Sequence, residues 1–476
     1  MKSKLASLLL VALTALSLSC TSPAPEPDPV PAKKLNIVVL VFDALRAGNL
    51  GFMGYDRPTS PNLDALANES YVFDQAIAAG GNTPTTMSAI MTGRYPYFTF
   101  EEGWDSPFGM RRFYADAQEL GLPESLDTLA ERLQAAGYTT AGFITNPYLK
   151  KEFNFHQGFD HYEEIFRDGG IPYGLGETVS AQAESYLRDL TAANGDATDG
   201  DKPFFLYLHY MDTHGPYAPP LEYRTQFDPE GVDRFDNERW TRWEDEIDLQ
   251  ADDADGLRQE ILNLYDGAVA YTDESAGRFL NALQEMGLTE DTLIVVTADH
   301  GDEFLEHGRT THKGTLYEEL VHIPFLFRIP GRPGGRIGDL VRNSDLMPTL
   351  FGLVGLETPT DIDTVSLRPL IDGEAQSLRL AAYAAFPNVR MLRTPRYKFL
   401  HYGKANRFEM YDLQEDPAEK KNIVADPEHA ERLASLQGAL ERIVSSLQEG
   451  QPLDAPAPAA MDDKTREQLR ALGYLD

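Results

Sequence analysis

The chain has 476 residues, 42% of them hydrophobic, which is enough for one large domain and a smaller one with a substantial core. Its 75 acidic and 42 basic residues give a formal net charge of -33, which disfavours binding to nucleic acid or to an anionic membrane face. An anionic substrate would therefore need a local positive group, such as a metal ion together with His, Lys or Arg side chains.

The N-terminus carries the features of an export signal followed by a tether. Two lysines precede the apolar stretch Leu5–Leu18, which is too short to span a bilayer comfortably. Cys20 is the only cysteine, so a disulfide within the chain is excluded, and its place after the signal resembles the acylated cysteine of bacterial lipoproteins. The alternative is an ordinary cleaved signal in which Cys20 is incidental. We predict a signal peptide over residues 1–20 and a Pro- and acid-rich tether over residues 21–34. Such a protein would be exported and held by its lipid in the cell envelope, in the periplasm or at the cell surface.

From residue 35 onward, apolar runs alternate with amphipathic segments. Near-continuous apolar runs predict strands buried on both faces, and a 3.6-residue period between capping and stop residues predicts helices. The predicted strands are Asn36–Phe42, Thr139–Thr145, Pro203–Tyr210, Thr292–Ala298 and Ile323–Ile329. The predicted helices begin at Ser60-Pro61, span Leu126–Ala136, and span Leu257–Met286 with breaks near Gly267 and Gly277. This alternation predicts an α/β domain with a doubly wound, mostly parallel sheet over residues 35–373.

The pattern changes after residue 373. Two segments, Arg390–Leu400 and Arg407–Leu413, predict short strands joined by a Gly-containing turn, and Ala430–Gln448 predicts a helix. These elements predict a small C-terminal α+β subdomain over residues 374–450. A Pro/Ala-rich tail follows over residues 451–476.

Two of the predicted buried strands end in a carboxylate. Asp43 follows Asn36–Phe42, and Asp299 follows Thr292–Ala298 with His300 directly after it. Functional groups of open parallel sheets gather at the carboxyl ends of the strands, so these three side chains are expected to converge. Two carboxylates and an imidazole suit a divalent cation. Each Asp could instead do no more than cap the loop that follows it.

The segment Asn82–Arg94 predicts a helix with Thr83 as its N-cap, Pro84 at its first position and Gly93 at its end. The hydroxyl of Thr83 could simply cap this helix. The same place lies beside free backbone N–H groups and the positive end of the helix dipole, which stabilise an anionic substrate. A nearby cation would lower the pKa of the hydroxyl and make it a nucleophile. The segment alone leaves both interpretations open.

Basic side chains occur in two further places. His209 and His214 flank Asp212 just after a strand, and His312 is followed by Lys313 in a later loop. A single His more often forms a structural hydrogen bond than it catalyses, which is the favoured interpretation for His209. These groups could otherwise clamp the outer oxygens of an anion or protonate a leaving group.

The motifs, taken in order, resemble those of the sulfatases and their relatives in the alkaline-phosphatase superfamily. The matching segments are Phe42–Arg46, Ser60–Ala67, Met91–Pro96, Ala136–Tyr138, Gly158–Asp160, Asp212–His214, Asp299–Gly301, His312–Glu319, Ser344–Thr349 and Met410–Leu413. The resemblance implies an alkaline-phosphatase-like fold and one divalent metal ion, which is Ca²⁺ in most sulfatases, with Mg²⁺, Mn²⁺ or Zn²⁺ as alternatives. It implies metal ligands at Asp43, Thr83, Asp299 and His300, catalytic residues at Thr83, His214, His312 and Lys313, and substrate contacts at Arg94, Asn146 and Asp212.

The sequence departs from the sulfatase pattern at the nucleophile. Sulfatases carry Cys or Ser there, later oxidised to formylglycine, in a Cys/Ser-x-Pro-x-Arg motif, whereas this chain has Thr83-Pro84-Thr85-Thr86-Met87. The family's Gly-Lys-x-His segment, whose basic groups hold sulfate, is replaced by Thr145-Asn146-Pro147. Threonine nucleophiles occur in superfamily relatives that cleave or transfer phosphoryl groups, such as lipoteichoic-acid synthase-like and phosphoethanolamine-transferase-like enzymes.

We therefore predict a metal-dependent hydrolase of sulfate or phosphate esters in which Thr83 attacks sulfur or phosphorus. The substrate would be an anionic ester, such as a glycan or a lipid head group, and no nucleic acid is expected as a partner. Two alternatives remain. One is a phosphoryl-group transferase that uses an acceptor other than water, and the other is a surface binding protein that kept the fold without catalysis.

Overall fold

A computed structural model of the protein describes residues 34–96, 121–167, 175–194, 202–228, 254–312, 314–378 and 381–448. The predicted signal peptide with Cys20, nearly all of the tether, Lys313 and the C-terminal tail lie outside these ranges. Residues Leu35–Asp476 form one compact unit. Within the described ranges, no helix combines the length and the apolar character that a membrane span requires.

The described residues form an alternating series of strands and helices, followed by a run of strands. The strands are β1 (Asn36–Phe42), β2 (Tyr71–Ile77), β3 (Thr139–Ile144), β4 (His161–Glu164), β5 (Phe204–Tyr210), β6 (Thr292–Ala298), β7 (Glu303–Phe304), β8 (Thr310–Thr311), β9 (Phe325–Arg328), β10 (Gly335–Arg342), β11 (Ala382–Phe386), β12 (Val389–Arg393), β13 (Tyr397–Tyr402) and β14 (Arg407–Asp412). The helices are α1 (Pro61–Ala67), α2 (Thr83–Thr92), α3 (Leu129–Ala135), α4 (Gly176–Asn194), α5 (Leu221–Arg224), α6 (Ala254–Glu285), α7 (Glu318–Val321), α8 (Leu346–Val354), α9 (Arg368–Ile371) and α10 (Ala430–Gln448).

The main sheet has eight strands in the order β10-β2-β9-β6-β1-β5-β3-β4. Strand β1 lies inside it and pairs in parallel with β5 and β6. Every residue of β1, β5 and β6 is buried, as the apolar runs in these segments predicted for strands covered on both faces. The doubly wound, mostly parallel sheet is therefore confirmed. Strand β9 is an exception, because it runs antiparallel to both β6 and β2.

Helix α6 runs without interruption from Ala254 to Glu285, so the predicted breaks near Gly267 and Gly277 are wrong. Both glycines are instead places of close approach. A Cβ atom at Gly267 would lie 2.5 Å from the backbone oxygen of Tyr223, and one at Gly277 would lie 2.4 Å from the side chain of Asn62. Glycine lets the helix pack against α5 and α1 at these two points, although it lowers helix propensity.

The C-terminal subdomain contains a four-stranded antiparallel sheet in the order β11-β12-β13-β14, with helix α10 beside it. The predicted strand Arg390–Leu400 is in fact parts of two strands, because the chain turns between Arg393 and Tyr397. Apolar residues of α10 pack on the sheet in a second small core that includes Phe399, Met410, Leu436 and Leu440. The small C-terminal subdomain predicted from the sequence is confirmed.

Candidate active site

The sheet brings the two carboxylates at the strand ends together. Phe42 at the end of β1 lies opposite Ala298 at the end of β6 in a parallel register. The next residue in each strand is therefore an aspartate, Asp43 or Asp299, and both side chains are fully buried. Because both strands point the same way, their carboxyl ends meet at one edge of the sheet.

Helix α2 places Thr83 against these carboxylates. Its N-cap is Asn82, whose side chain accepts a hydrogen bond of 3.2 Å from the backbone N–H of Thr85. The prediction that Thr83 caps the helix is therefore wrong by one residue. Because Asn82 does the capping, the Thr83 hydroxyl is turned to the strand ends, where its oxygen lies 3.4 Å from both Asp43 Oδ2 and His300 Nε2.

Asp43 is held by donors on one carboxylate oxygen only. Its Oδ2 accepts hydrogen bonds from Asn146 Nδ2 at 2.6 Å and from His209 Nε2 at 3.0 Å. Burial alone would raise the pKa of Asp43, but the hydrogen bond from His209 and the charges of His214 and His300 hold that pKa well below its usual range. Its Oδ1 is buried and has no hydrogen-bond partner among the residues that the structure describes.

Asp299 and His300 show the same one-sided arrangement. Asp299 Oδ1 accepts from the backbone N–H groups of Ala44 at 3.1 Å and His300 at 2.8 Å, whereas its buried Oδ2 has no such partner in the described part of the chain. His300 Nδ1 lies 2.9 Å from the carbonyl oxygen of Gly301, so we assign its proton to Nδ1. Nε2 lies 3.5 Å from Asp299 Oδ2 and 3.8 Å from Asp43 Oδ1. Burial alone would lower the pKa of His300, but the negative charges of these carboxylates raise it in the absence of a cation. A bound cation would take the place of the proton on Nε2.

The carboxylate oxygens and the imidazole nitrogen form a set of ligand atoms that fits a divalent cation. Ligand atoms of Asp43, Asp299 and His300 all lie within 4.8 Å of one another, and the side chains are buried. Burial and the negative charge of Asp43 raise the pKa of Asp299, because two carboxylates in one buried group repel each other. A cation would relieve that repulsion and would give the two unpaired carboxylate oxygens a partner. The structure thus brings together the four residues expected as ligands, Thr83 included.

A second group of polar side chains lies next to this one. The ring of His312 is 4.4 Å from that of His300 and 5.0 Å from that of His214, measured between centroids. His312 Nδ1 lies 2.7 Å from Asp302 Oδ1, and Asp302 Oδ2 accepts a hydrogen bond of 2.5 Å from the Tyr217 hydroxyl. His214 is also buried, and its Nδ1 donates to the carbonyl oxygen of Gly215 at 2.6 Å.

The charge state of His312 bears on its predicted role. Burial, and then the neighbouring His300, lower the pKa of His312 to about 4. Asp302 is ionised, because its pKa lies below the usual range, and so His312 Nδ1 donates to it. At neutral pH His312 is therefore a neutral imidazole whose Nε2 is an acceptor. This state suits it better to accept a proton than to protonate a leaving group. Lys313, predicted to act with His312, lies outside the described residues.

Of the three predicted substrate contacts, only Asn146 lies at this group. Its Nδ2 is 3.2 Å from Thr83 Oγ1 as well as close to Asp43. Arg94 does not join it, because Arg94 follows the far end of α2, about 15 Å along the helix axis from Thr83. Its guanidinium lies 3.5 Å from Asp361 instead.

Asp212 is also turned away from the nucleophile. Its Oδ1 accepts from the backbone N–H of Gly176 at the start of α4, at 3.2 Å. Burial raises the pKa of Asp212 to about 7. Its Oδ2 also lies beside Gly176 and is buried without a hydrogen-bond partner among the described residues, so the predicted contact of Asp212 with substrate at Thr83 stays a prediction.

Two residues of β5, Tyr207 and His209, belong to the site although the sequence favoured a structural role for His209. The Tyr207 hydroxyl lies 2.7 Å from His209 Nδ1, and His209 Nε2 in turn donates to Asp43. The two residues are two positions apart in a strand, so they share a face. The sequence feature that could have indicated this role of His209 is a polar side chain inside an otherwise apolar strand. In the structure His209 pairs with Val41 of β1.

Comparison with known proteins decides the family. The model of the sulfatase family matches residues 35–356, and a model of the C-terminal region of N-sulphoglucosamine sulphohydrolase matches residues 306–446. The chain belongs to the sulfatase family. It is accordingly a sulfatase-family ester hydrolase, and buried groups of the kind described above could hold the metal ion on which sulfatases depend.

Individual relatives cover most of this sulfatase-family chain. An ulvan-active sulfatase of Formosa agariphila is 26% identical over 87% of this chain and 82% of its own length. A solved structure of a protein in complex with its substrate, D-glucosamine-2-N,6-O-disulfate, superposes with a TM-score of 0.70 at 22% identity, covering 88% of this chain and 99% of that one. Phosphonate monoester hydrolase of Agrobacterium radiobacter superposes with a TM-score of 0.67 at 21% identity, covering 87% and 96%. At these identities the structural matches establish the fold.

Proposed function

We propose that this sulfatase-family protein hydrolyses phosphoryl esters, namely phosphate or phosphonate esters, by a metal-dependent reaction with Thr83 as the nucleophile. The observation that carries the proposal is the placement of the Thr83 hydroxyl. The N-cap role is taken by Asn82, and Thr83 Oγ1 lies 3.4 Å from both Asp43 Oδ2 and His300 Nε2. Capping of α2 does not require the Thr83 hydroxyl in this position, whereas nucleophilic attack at the start of a helix does.

Threonine cannot supply the nucleophile that sulfatases use. Formylglycine is an aldehyde made by oxidising a Cys or Ser side chain, whose Cβ carries two hydrogens. The Cβ of Thr83 carries a methyl group, so the same oxidation would give a ketone. Thr83 therefore acts as a hydroxyl, and a hydroxyl is the nucleophile of known phosphoryl-transferring relatives of this superfamily.

The chemistry follows from the residues around Thr83. A cation bound by Asp43, Asp299 and His300 would lower the pKa of the Thr83 hydroxyl and offset negative charge on the substrate. Thr83 Oγ1 loses its proton, attacks phosphorus and forms an O–P bond, while the bond to the alcohol oxygen breaks; the proton given up by Thr83 balances the one that the leaving alcohol takes up. The backbone N–H of Thr83 and Nδ2 of Asn146 could donate to the phosphoryl oxygens, whereas Pro84 has no N–H and the N–H of Thr85 is bonded to Asn82.

A second displacement returns the free enzyme. Water attacks the phosphorus of the threonine ester, and the released Thr83 oxygen takes a proton. His312 is neutral at pH 7 because burial lowers its pKa to about 4, so it can accept the proton of the attacking water. Asp302 orients its ring through the hydrogen bond of 2.7 Å to Nδ1.

The donor set bears on the choice of metal. Ca²⁺ prefers six to eight oxygen ligands, whereas an imidazole nitrogen with carboxylates suits Zn²⁺ or Mn²⁺. His300 contributes such a nitrogen, so we propose Zn²⁺ or Mn²⁺ ahead of the Ca²⁺ expected from the family resemblance. Loading the metal-free protein with each of the three ions in turn, and measuring affinity and turnover, tests the order.

Hydrolysis of a sulfate ester on a glycan is the second candidate. It is favoured by the family match and by relatives named as sulfatases of ulvan and other glycans. Asn146 stands where the family's basic sulfate contacts are expected, which weighs against it. A neutral amide is a poorer partner than Lys or His for a sulfate group.

The deciding experiment compares an aryl phosphodiester, an aryl phosphonate monoester and an aryl sulfate as substrates of residues 35–476. Thr83→Ala and a chelated sample should both lose turnover by a factor of about 1,000 or more. Thr92→Ala, at the other end of α2, is the matched control, because its hydroxyl donates to the carbonyl oxygen of Ser88 at 2.6 Å and accepts from the backbone N–H of Arg94 at 3.3 Å, both away from Thr83. Sulfate turnover lost in Thr83→Ala would refute the phosphoryl preference, and phosphoryl turnover retained in that variant would refute the nucleophile.

Two further points of the proposal concern the location of the protein and the acceptor of the transferred group. We propose that Cys20 carries a lipid and anchors the exported enzyme in the cell envelope. Labelling with a fatty-acid analogue should mark the full chain and fail in Cys20→Ser. Product analysis with added glycan or lipid acceptors distinguishes hydrolysis from transfer, since a transferase would release little free phosphate unless it used water.

A further inference from the structure

A second group of possible metal ligands lies at a hairpin formed by β7 and β8. The tip of this hairpin carries His307, and β8 leads directly into His312. His307 meets Glu319 of helix α7 and Glu419 of the C-terminal subdomain, and one ligand atom from each lies within 4.8 Å of the other two. We call His307, Glu319 and Glu419 the hairpin cluster.

Each residue of the hairpin cluster has a buried ligand atom that forms no hydrogen bond with the described residues, although that of Glu419 is ion-paired with Lys398 at 3.0 Å. These atoms are His307 Nε2, Glu319 Oε2 and Glu419 Oε1. The side chains of His307 and Glu419 are 9% and 0% exposed. Asp43 and Asp299 at the candidate active site show the same signature of buried carboxylate oxygens that lack a hydrogen-bond partner within the described ranges. A buried polar atom without a partner is destabilising, so a ligand is expected where three converge.

The three side chains are held in place by contacts that leave those atoms facing one another. The ring of His307 stacks on Tyr317, with centroids 3.6 Å apart and planes inclined by 14°. Glu419 Oε2 accepts from the backbone N–H of Glu318 at 2.6 Å. His307 Nε2 and Glu319 Oε2 are 3.5 Å apart, which is longer than a good hydrogen bond but ordinary between two ligands of one metal ion.

One positive charge lies beside the cluster. The ammonium group of Lys398 lies 3.0 Å from Glu419 Oε1, donates to Glu419 Oε2 at 3.2 Å and lies 3.1 Å from Glu318 Oε1. It is thus shared between two carboxylates, and the described ion pairs include none between Lys398 and Glu319.

We propose that the hairpin cluster binds a second divalent cation, of the Zn²⁺ or Mn²⁺ type, through one imidazole nitrogen and two carboxylate oxygens. Three protein ligands leave a position for water, as in many sites of this composition. The cation would join the β7–β8 hairpin to α7 and to the C-terminal subdomain. It would therefore steady the segment that carries His312.

Metal stoichiometry tests the proposal without relying on activity. Residues 35–476, freed of metal and then equilibrated with Zn²⁺, should bind two ions per chain by elemental analysis after gel filtration. His307→Gln and Glu419→Gln should each bind one, and Asp299→Asn should also bind one because it removes the other site. His161→Gln is the matched control, since the side chain of His161 is 39% exposed and lies outside both groups.

Thermal unfolding and circular dichroism of each variant establish that it folds. One ion per chain in the unaltered protein, with the same value in folded His307→Gln, would overturn the proposal. Loss of the Asp43 site in Asp299→Asn with the second ion retained would support it even if the protein had no phosphoryl-esterase activity. The outcome is therefore separate from that of the proposed function.

Discussion

Removal of the His209 side chain should weaken metal binding although His209 is not itself a proposed ligand. His209 Nε2 donates to Asp43 Oδ2 at 3.0 Å, and its Nδ1 lies 2.7 Å from the Tyr207 hydroxyl. Both side chains of the His209–Asp43 pair are 0% exposed, so solvent cannot replace the lost donor. In this arrangement Oδ2 is occupied by donors and Oδ1 is left for a cation. His209 would thus position Asp43 so that it binds through one chosen oxygen.

The size of the effect follows from that hydrogen bond. Residues that orient metal ligands typically contribute 10- to 100-fold to metal affinity, which is about 1.4 to 2.7 kcal/mol. For His209→Leu we expect a loss in this range. The substitution also leaves the buried Tyr207 hydroxyl without its acceptor, and the free energy of unfolding of the metal-free protein should fall by about 1 to 3 kcal/mol.

The assay is a competition titration of the metal-free protein against a chromophoric chelator, with denaturant unfolding measured alongside. Tyr207→Phe is the matched variant, because it keeps the donor to Asp43 and removes only the group that orients its ring. We expect about a tenfold loss of affinity or less from it. An affinity for His209→Leu within twofold of the unaltered protein, together with the expected loss of stability, would show that His209 is only a core residue and would refute the reasoning.

Three further predictions concern other buried or displaced groups. Burial raises the pKa of Asp212 to about 7, so the stability that its protonated carboxyl group contributes is full below pH 4 and is lost as pH rises through 7. In denaturant titrations, Asp212→Asn should equal the unaltered protein in stability at pH 4 and exceed it by up to about 4 kcal/mol at pH 8. Burial lowers the pKa of His312 to about 4, so the stability that its neutral ring contributes is full above pH 6.5 and is lost as pH falls toward 4. In the metal-free protein, His312→Gln should reduce the dependence of the free energy of unfolding on pH between 6.5 and 4. Arg94→Gln should leave kcat for a small aryl ester within a factor of two, because the guanidinium pairs with Asp361; a loss of tenfold or more would restore Arg94 to the site.

The centre of the sheet was predictable because β1, β5 and β6 carry one uniform apolar signal, whereas β2, β4 and β10, which are only partly buried, were not predicted. Apolar runs such as Asn36–Phe42 and Thr292–Ala298 are buried on both faces, and their ends mark where Asp43 and Asp299 lie. The direction of β9 was not predictable, because a short apolar run carries no signal of strand direction. Only its antiparallel pairing with β6 establishes that direction. Helix propensity is similarly limited as a predictor. It marks Gly277 as unfavourable in a helix, but it does not show that Asn62 packs closely against this glycine.

The candidate site was predictable where motif and strand end coincide. Asp299 and His300 follow directly from β6, and Thr83 from the start of α2. The substrate contact at Arg94 was expected from the family resemblance, but the ten residues of α2 separate Arg94 from Thr83 by about 15 Å along the helix axis. His209 shows the reverse, since only the register of β5 against β1 reveals that its ring reaches Asp43.

The parallel pairing of β1 with β6 has a consequence for when the proposed cation could bind. Asn36 lies opposite Thr292, so the two carboxylates come from strands with more than half of the chain between them. No short fragment of the chain contains Asp43 together with Asp299 and His300. Parallel strands that lie so far apart along the chain pair late in folding, because a large loop must close first. A nascent or unfolded chain therefore has no assembled pocket with which to capture a metal ion. Loading must follow folding, and the ion that is bound is set by the supply in the compartment where the sheet is completed.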